Sequence, residues 1–308
     1  MTAPARAPRA PVAALSTTAA VAAVLSWGIG PVVVKGTHLH GLAVGFYRLD
    51  LGSLAMLVIL YASGRRLDWT VLRGATPGGV AFALDIILFF TAVKLTTVAD
   101  ATIISALQPA LVLLFVGRLF GERVRPTDVL LTAFAIAGVG VVVFTSSQVA
   151  GRSLSGDVLA TLALGAWTWY FVAVKQARGR FAALEYQTAL AVVAAVVVTP
   201  VVLASGQRLA VPDTRTWALL AVTIVLGGAG HLMMNWAHAY TPLMLTSLLT
   251  LAGPVISVAA AAAFLGEPIL GAQVAGIAVV LGSLGFVVAR ATATDQRTQV
   301  LDGLEDLV

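Results

Sequence analysis

The sequence of 308 residues is 59% hydrophobic and only 11% charged, with a formal net charge of +5. About a quarter of the residues of a soluble domain are charged, so this chain has too little polar surface for a water-facing globule and suits a bilayer. It contains no cysteine, which excludes disulfide and zinc-thiolate sites. The basic residues lie in short loops between apolar runs, as membrane topology requires, and do not indicate a nucleic-acid partner.

Ten apolar segments follow one another along the chain, and each is long enough to cross the hydrocarbon core as a helix of about 20 residues. The first is interpreted as a retained span rather than a cleaved signal peptide. Strands are not expected, because the runs are long and lack a period of two. The predicted spans are 14–34, 42–62, 75–94, 98–117, 127–146, 156–175, 183–204, 216–238, 243–264 and 270–289.

Lysine and arginine predict the orientation of these spans. With the N-terminus in the cytoplasm, most basic residues fall in inside loops, as the positive-inside rule requires. An even number of spans puts both termini on one side, so residues 1–13 and 291–308 are predicted to be cytoplasmic tails of an inner-membrane protein. The basic residues left outside are Lys35, Lys94, Arg152, Arg208 and Arg215.

An internal repeat is the most informative feature of the sequence. The segment ATIISALQPALVLLFVGRLFGERVRPTDVLLTAFAIAGVGVVV aligns without a gap with TSLLTLAGPVISVAAAAAFLGEPILGAQVAGIAVVLGSLGFVV at an offset of 145 residues. Nearer the N-terminus the offset is 140. The matched pairs are Pro109 with Pro254, Gly121 with Gly266, Glu122 with Glu267, Gly140 with Gly285, Ala92 with Ala237, Thr96 with Thr241, Trp27 with Trp167, Lys35 with Lys175, and Phe46 with Tyr186.

The repeat predicts two halves, 14–147 and 156–290, with five spans in each. Because five is odd, the second half enters the membrane upside down, which puts Glu122 on the cytoplasmic side and Glu267 outside. The predicted fold is therefore an all-α membrane protein of ten transmembrane helices, arranged as two inverted five-helix repeats. Such repeats are typical of secondary transporters that alternate access to one central site.

These paired motifs, a span with a mid-helix proline followed by Gly-Glu and a Gly-rich span in each half, resemble the drug/metabolite transporter superfamily of the EamA type. The resemblance covers roughly residues 15–290. It implies ten spans, cytoplasmic termini, a cavity lined by the first four helices of each half, and export of amino acids or other metabolites. Small multidrug relatives carry a proton-binding glutamate in the first helix; the first span here has no acidic residue, which argues against antiport by that route.

Charged residues within the predicted spans are candidate site residues, because each costs roughly 3 kcal/mol or more near the centre of a bilayer. Arg48 and Asp85 lie in the second and third spans, which run antiparallel. Arg48 is interpreted either as an anchor for an anionic substrate group, with Asp85 as counter-ion or proton site, or as half of a structural ion pair. Asp50, two residues from Arg48, is predicted to point away from it and to be structural or water-facing.

Three polar residues of the eighth span, His231, Asn235 and His238, share one helical face. His231 and Asn235 are candidate substrate contacts, whereas His238 is expected at the cytoplasmic interface. Two histidines seven residues apart without a matched acid are a weak metal signal, so we predict no metal site.

Aromatic residues of the first and sixth spans, Trp27, Trp167 and Tyr170, are candidates for the cavity wall, where their faces suit an apolar or cationic solute. Helix packing or an interfacial aromatic belt would also explain them. Pro109 and Pro254 each remove a backbone hydrogen bond near mid-span, so they predict a kink or a carbonyl free to bind substrate.

Three further polar residues lie in these spans or in the loops that follow them. Gln108 offers an amide at the depth of Pro109 and is a candidate cavity residue. Glu122 and Glu267 are interpreted as helix caps.

These features predict a carrier rather than an enzyme, because no HExxH, GxSxG or paired aspartate-rich motif occurs. A neutral or aromatic amino acid suits a cavity with one basic residue, acids, amides and tryptophans. Efflux of a hydrophobic or cationic drug-like compound is the alternative, which leaves Arg48 unexplained, and a membrane-embedded enzyme is more remote. We expect no cofactor, a monomer or homodimer, and protons as the candidate coupling ion through Asp85 or His231.

Overall fold

The computed structural model describes residues 10–96, 98–121, 126–146, 153–206, 209–265, 271, 274–283 and 286. Within these ranges the elements are helices and no strand occurs. They are α1 Ala10–Gly28, α2 Gly30–Gly36, α3 Gly41–Ala62, α4 Trp69–Leu95, α5 Val98–Ser105, α6 Gln108–Phe120, α7 Pro126–Ser146, α8 Leu154–Arg178, α9 Ala183–Ala204, α10 Thr214–Ala237, α11 Leu243–Leu249, α12 Ala252–Leu265 and α13 Val274–Ser283.

Seven helical segments of the described chain are long and apolar enough to cross a membrane. The other three predicted spans contain shorter apolar helices, Gln108–Phe120, Val129–Gly138 and Val274–Ser283. The seven long segments are Val12–Gly36, Gly41–Ala62, Trp69–Leu95, Leu154–Arg178, Ala183–Ala204, Thr214–Ala237 and Leu243–Phe264.

The fourth and ninth predicted spans are each interrupted just before their proline. α5 ends at Ser105 and α6 begins at Gln108, with Pro109 in its first turn. α11 ends at Leu249 and α12 begins at Ala252, so Pro254 also lies in a first turn. A proline cannot continue a preceding helix but suits the start of a new one. The kink expected at each proline is therefore a full break, at equivalent positions of the repeat.

Helices from the two halves of the sequence pack against each other rather than forming separate bodies. α4 packs on α8 and α9, α3 on α9, and α1 on α10. Arg65, after the end of α3, pairs with Glu185 in the first turn of α9 at 2.8 Å. At the other end, the Tyr47 hydroxyl donates to the Ala210 carbonyl beyond α9. α3 and α9 are therefore antiparallel.

Two lysines tie helix ends together in a repeated arrangement. Lys35 Nζ donates to the carbonyls of Val93 and Thr96 at 2.8 and 2.9 Å. Lys175 Nζ donates to the carbonyls of His238 and Thr241 at 2.9 and 2.6 Å. Lys35 and Lys175 are repeat mates, and so are the carbonyl groups that they bind. Each cation thus satisfies carbonyls at a helix C-terminus, where positive charge is stabilising.

The starts of α1 and α8 lie at opposite ends of the bundle. Thr96 Oγ1 donates to the Asp157 carboxylate at 3.0 Å, which holds the start of α8 beside the end of α4 and hence beside Lys35. Thr241 Oγ1 donates to Ser16 Oγ at 2.9 Å, which holds the start of α1 beside Lys175. α1 and α8 therefore run in opposite directions. Glu122, Gly266 and Glu267 lie outside the described residues.

Candidate functional site

A cavity of about 160 Å³ lies where the first, third and fourth predicted spans meet their partners from the second half of the chain. Both broken spans border it, through Ser105 and Ala106 at one break and Thr250 and Gly253 at the other. Six of the residues singled out from the sequence line this cavity: Trp27, Arg48, Asp85, Trp167, His231 and Pro254.

Arg48 is held on the cavity wall by α3 and is only 9% exposed. Its Nη2 donates to His231 Nε2 at 3.3 Å, and its guanidinium carbon lies 5.2 Å from the Phe90 ring centre and 5.8 Å from that of Phe82. No carboxylate oxygen of the described residues lies within 4.0 Å of its nitrogens. The remaining N–H groups of Arg48 make no hydrogen bond with the described residues and are available to a solute.

Asp85 lines the same cavity from α4 and is 8% exposed. The described residues give its carboxylate no hydrogen bond and no ion pair within 4.0 Å, so the structural ion pair with Arg48 is not formed here. A buried charge that lacks a partner is costly in a low-dielectric setting. The cavity therefore holds one basic and one acidic group, both buried and not joined to each other by an ion pair.

A directed chain of hydrogen bonds leads away from Arg48. Because arginine only donates, His231 Nε2 accepts, which leaves the proton on Nδ1 to donate to the Tyr170 oxygen at 3.0 Å. The Tyr170 hydroxyl then donates to Asn235 Oδ1 at 3.0 Å, and Asn235 Nδ2 donates to Gln187 Oε1. The chain joins α3, α10, α8 and α9, and it fixes the tautomer and orientation of His231.

Tyr170 and Asn235, predicted as substrate contacts, are both fully buried and do not line the cavity. They lie behind His231 and reach the solute space only through it. Gln187, which ends the chain, was missed by sequence reasoning, although an amide inside the apolar run of α9 was a usable signal.

Two tryptophans related by the repeat meet beside the cavity. The ring centres of Trp27 and Trp167 are 5.2 Å apart in an edge-to-face arrangement, and Trp27 also lies 4.7 Å from His231. Trp167 stacks on Tyr170 at 5.2 Å. Such contacts add to packing, so the aromatic wall both holds the helices together and presents apolar surface to a solute.

Gln108 and Pro109 are buried beside the cavity but do not line it. Gln108 Nε2 donates to Ser247 Oγ at 3.3 Å, and its Oε1 accepts from Thr250 Oγ1 at 3.4 Å. The amide therefore bridges the two helix breaks. Thr250, which lines the cavity, was not expected from the sequence.

Asp50 and His238, the remaining polar residues singled out in these spans, contact neighbouring helices and do not line the cavity. Asp50 accepts from Thr199 Oγ1 at 3.0 Å and joins α3 to α9, as expected of a structural group. His238 was expected at an interface, but it is 1% exposed and packs edge-on against Phe171. The difference arises because other helices contact the side chain: Phe171 belongs to α8, and Thr246 of α11 has its Oγ1 3.5 Å from His238 Nδ1. Within the described ranges, no three metal-ligating side chains come together.

Comparison with known proteins gives this architecture a family. The model of the EamA-like transporter family matches residues 15–144 and, a second time, residues 154–289. The chain belongs to the EamA-like transporter family. Each of the two matched segments contributes one tryptophan to the cavity, Trp27 from the first and Trp167 from the second.

Similar proteins and a similar solved structure agree with this family assignment. The pseudopaline exporter CntI of Pseudomonas aeruginosa, in strains UCBPP-PA14 and PAO1, is 26% identical over 198 residues, which are 63% of this chain and 67% of the relative. A protein of known crystal structure shares the fold with a TM-score of 0.71 at 20% identity, over 90% of this chain and 98% of that chain. This EamA-like transporter is thus a multi-pass helical membrane protein of a family that moves small molecules.

Proposed function

We propose that the protein is a secondary transporter that exports a small zwitterionic metabolite, a neutral or aromatic amino acid, across the cytoplasmic membrane. One observation carries the proposal: Arg48 and Asp85 face the same cavity without an ion pair between them. An amino acid brings a carboxylate for the first and an ammonium group for the second, so one solute neutralises both buried charges.

The dimensions of the cavity favour a solute of this kind. At about 160 Å³ it is close to the roughly 150 Å³ of a protein cavity that binds benzene, and below the roughly 300–1,000 Å³ of drug-sized pockets. Trp27 and Trp167 supply apolar wall for a side chain. A hydrophobic or cationic drug would also use these rings, but it would leave the Arg48 guanidinium unneutralised.

The transport mechanism that we infer is alternating access by two inverted repeats, 14–147 and 156–290, of five spans each. The opposite directions of α1 and α8 and of α3 and α9, together with the equivalent lysine ties, support the inversion. Cytoplasmic termini follow from the basic loops. The exporter activity named for CntI supports export as the direction, and the family supports transport over a membrane-embedded enzyme. Proton coupling through Asp85 or His231 stays a prediction.

A counterflow assay in proteoliposomes tests the proposal. We expect exchange of radiolabelled phenylalanine and of smaller neutral amino acids. Phenethylamine lacks the carboxylate and 3-phenylpropionate lacks the ammonium group, so each should compete at least about tenfold more weakly, the equivalent of one ionic contact of roughly 1.4 kcal/mol. Exchange of a cationic drug without exchange of any amino acid would overturn the proposal in favour of drug efflux.

A further inference from the structure

Several hydroxyl groups line the cavity, and each already donates its proton within the protein. Four of them donate to a backbone carbonyl three or four residues earlier in the chain, at 2.6 to 3.1 Å: Ser26, Ser105, Thr223 and Thr250. Ser257 Oγ donates to the Gly28 carbonyl of α1 at 2.7 Å. A hydroxyl has one proton and two lone pairs. These groups can therefore accept a hydrogen bond from a solute, but they have no proton left to offer.

Two of these hydroxyls lie at the equivalent breaks of the fourth and ninth predicted spans. Ser105 ends α5 and Thr250 follows α11, and the repeat offset of 145 residues makes them mates. The breaks lie beside each other, because α5 packs on α12 and Gln108 Oε1 is 3.4 Å from Thr250 Oγ1. Ser257 of α12 lines the same cavity. Three hydroxyl oxygens thus come from the walls of one small space.

Prolines add backbone acceptors at the same place. In a continuous helix, a carbonyl accepts from the N–H four residues later, and a proline has no N–H. The residues four positions before three prolines all line the cavity: Trp27 before Pro31, Ser105 before Pro109 and Thr250 before Pro254. The Thr250 carbonyl accepts instead from the Gly253 N–H at 2.9 Å. The backbone at the breaks, like the hydroxyls, is therefore rich in acceptors.

The cationic donor of the cavity has different neighbours. The Arg48 guanidinium lies against Gly227 and His231 of α10 and against the aromatic rings of α4. The ring nitrogen of Trp27 is buried against Gly230, also of α10. Donors of the cavity wall thus lie on α10, whereas acceptors lie at the breaks. A zwitterion that places its carboxylate on Arg48 leaves its ammonium group for these acceptors.

We propose that Ser105, Thr250 and Ser257, with the carbonyls at the breaks, form a subsite for the N–H groups of a primary ammonium ion, so that the transporter selects solutes with a free primary amine. The inference rests on the proposed function, which supplies the ammonium group. A primary ammonium ion has three donors and no acceptor, which complements a wall that accepts but cannot donate. Selection of a methylated ammonium group by the aromatic faces of Trp27 and Trp167 is the competing outcome.

Methylation of the nitrogen of phenylalanine tests the subsite, because it removes N–H donors and keeps the positive charge. N-Methyl-, N,N-dimethyl- and N,N,N-trimethylphenylalanine lose one, two and all three donors. α-Methylphenylalanine also gains a methyl group but keeps every donor, so it controls for bulk. In competition with radiolabelled phenylalanine counterflow, we expect the IC50 to rise about tenfold for the first lost donor and at least about 100-fold for all three. α-Methylphenylalanine should compete more strongly than N-methylphenylalanine.

Removal of one hydroxyl separates hydrogen bonding from the shape of the cavity. The Ser105 hydroxyl bonds the Ala101 carbonyl of its own helix, so Ser105→Ala breaks no bond between helices. It should weaken phenylalanine but not the trimethyl form, so the ratio of their IC50 values should fall by about tenfold. In Ser53→Ala the lost hydroxyl also bonds its own helix but does not line the cavity, and the ratio should stay the same. Ser257→Ala is a second variant if Ser105→Ala does not insert.

A binding measurement separates this inference from amino-acid transport. Phenethylamine and its N,N,N-trimethyl derivative have the same ring and positive charge and no carboxylate. At equal concentration, we expect the primary amine to raise the melting temperature of the detergent-solubilised protein by more than the trimethyl derivative does. This expectation holds whether or not phenylalanine is exchanged.

Four results would overturn the subsite: equal IC50 values across the N-methyl series, an unchanged ratio in Ser105→Ala, an equal or larger shift with the trimethyl amine, or no shift with either amine. A larger shift with the trimethyl amine would assign the ammonium group to the aromatic wall instead. Failure of phenylalanine exchange, with the expected shift by phenethylamine, refutes the amino-acid proposal and leaves the amine subsite supported.

Discussion

Gly227 lies under the Arg48 guanidinium, and its replacement by alanine tests whether that group is positioned to bind solute. A Cβ at residue 227 would lie 2.5 Å from Nη2, 3.0 Å from Nε and 3.1 Å from Cζ of Arg48. Ordinary contacts are about 3.5–4.0 Å, so the guanidinium must move by about 1 Å. The 3.3 Å hydrogen bond to His231 would then be lost. The displaced guanidinium would also lose its hydrogen bond to the solute carboxylate, and because a hydrogen bond to a charged group contributes about 1.5–3 kcal/mol, KM for exchange should rise on the order of 10- to 100-fold.

Stability should fall in Gly227→Ala, but by less than the lost hydrogen bond alone would cost. Alanine favours a helix interior over glycine by about 0.5–1 kcal/mol, which offsets only part of the roughly 1.5–3 kcal/mol of that bond, so the melting temperature should fall modestly. Gly228→Ala is the matched control, because a Cβ there meets nothing within 4 Å. Radiolabelled phenylalanine counterflow and thermal unfolding measure the two effects. A wild-type KM in Gly227→Ala, or an equal rise in Gly228→Ala, would refute the role given to Arg48.

Three further substitutions test the cavity and its support. Arg48→Ala should abolish counterflow with normal membrane insertion, whereas Arg73→Ala, at an exposed position, should not; retained exchange would remove Arg48 from the site. Tyr170→Phe leaves the buried His231 N–H and the buried Asn235 carbonyl oxygen without their partner, so KM should rise by about tenfold or more. An unchanged KM would show that the hydrogen bonds through Tyr170 do not position His231. Lys175→Met removes two hydrogen bonds to carbonyls at the end of α10 and should lower the free energy of unfolding by about 2 kcal/mol, as measured by thermal or denaturant unfolding. An unchanged free energy of unfolding would show that these two hydrogen bonds do not stabilise the fold.

Helix positions were predictable because they depend on local sequence. The predicted span 183–204 coincides with α9, and 42–62 differs from α3 by one residue. Each is an uninterrupted apolar run, and a helix is the form that satisfies its own backbone in lipid. The breaks in the fourth and ninth spans were foreseen only as kinks. Whether a proline bends or divides a helix depends on what surrounds it, and here Gln108 bridges the two breaks.

Side-chain partners were not predictable, because they depend on how distant helices pack. Sequence reasoning offered Asp85 as the structural partner of Arg48, since their spans adjoin in the chain. The structure instead gives Arg48 a hydrogen bond to His231, 183 residues away, and stacks it against Phe82 and Phe90. No local pattern encodes that contact. Two of the three charged residues singled out in the apolar spans, Arg48 and Asp85, line the cavity, whereas Asp50 does not; a charge remains in lipid only where the bundle shelters it.

The duplicated sequence separates groups that build the bundle from groups that serve the solute. Lys35 and Lys175 are mates and bind equivalent carbonyls, so the fold needs both. Arg48 and Asp85 have no charged mates, since the repeat puts Thr188 and Gly230 at their positions. A half that folds with threonine and glycine there shows that neither charge is required for packing. Under the proposed function, a zwitterionic solute offsets the cost of both charges in the bilayer at once.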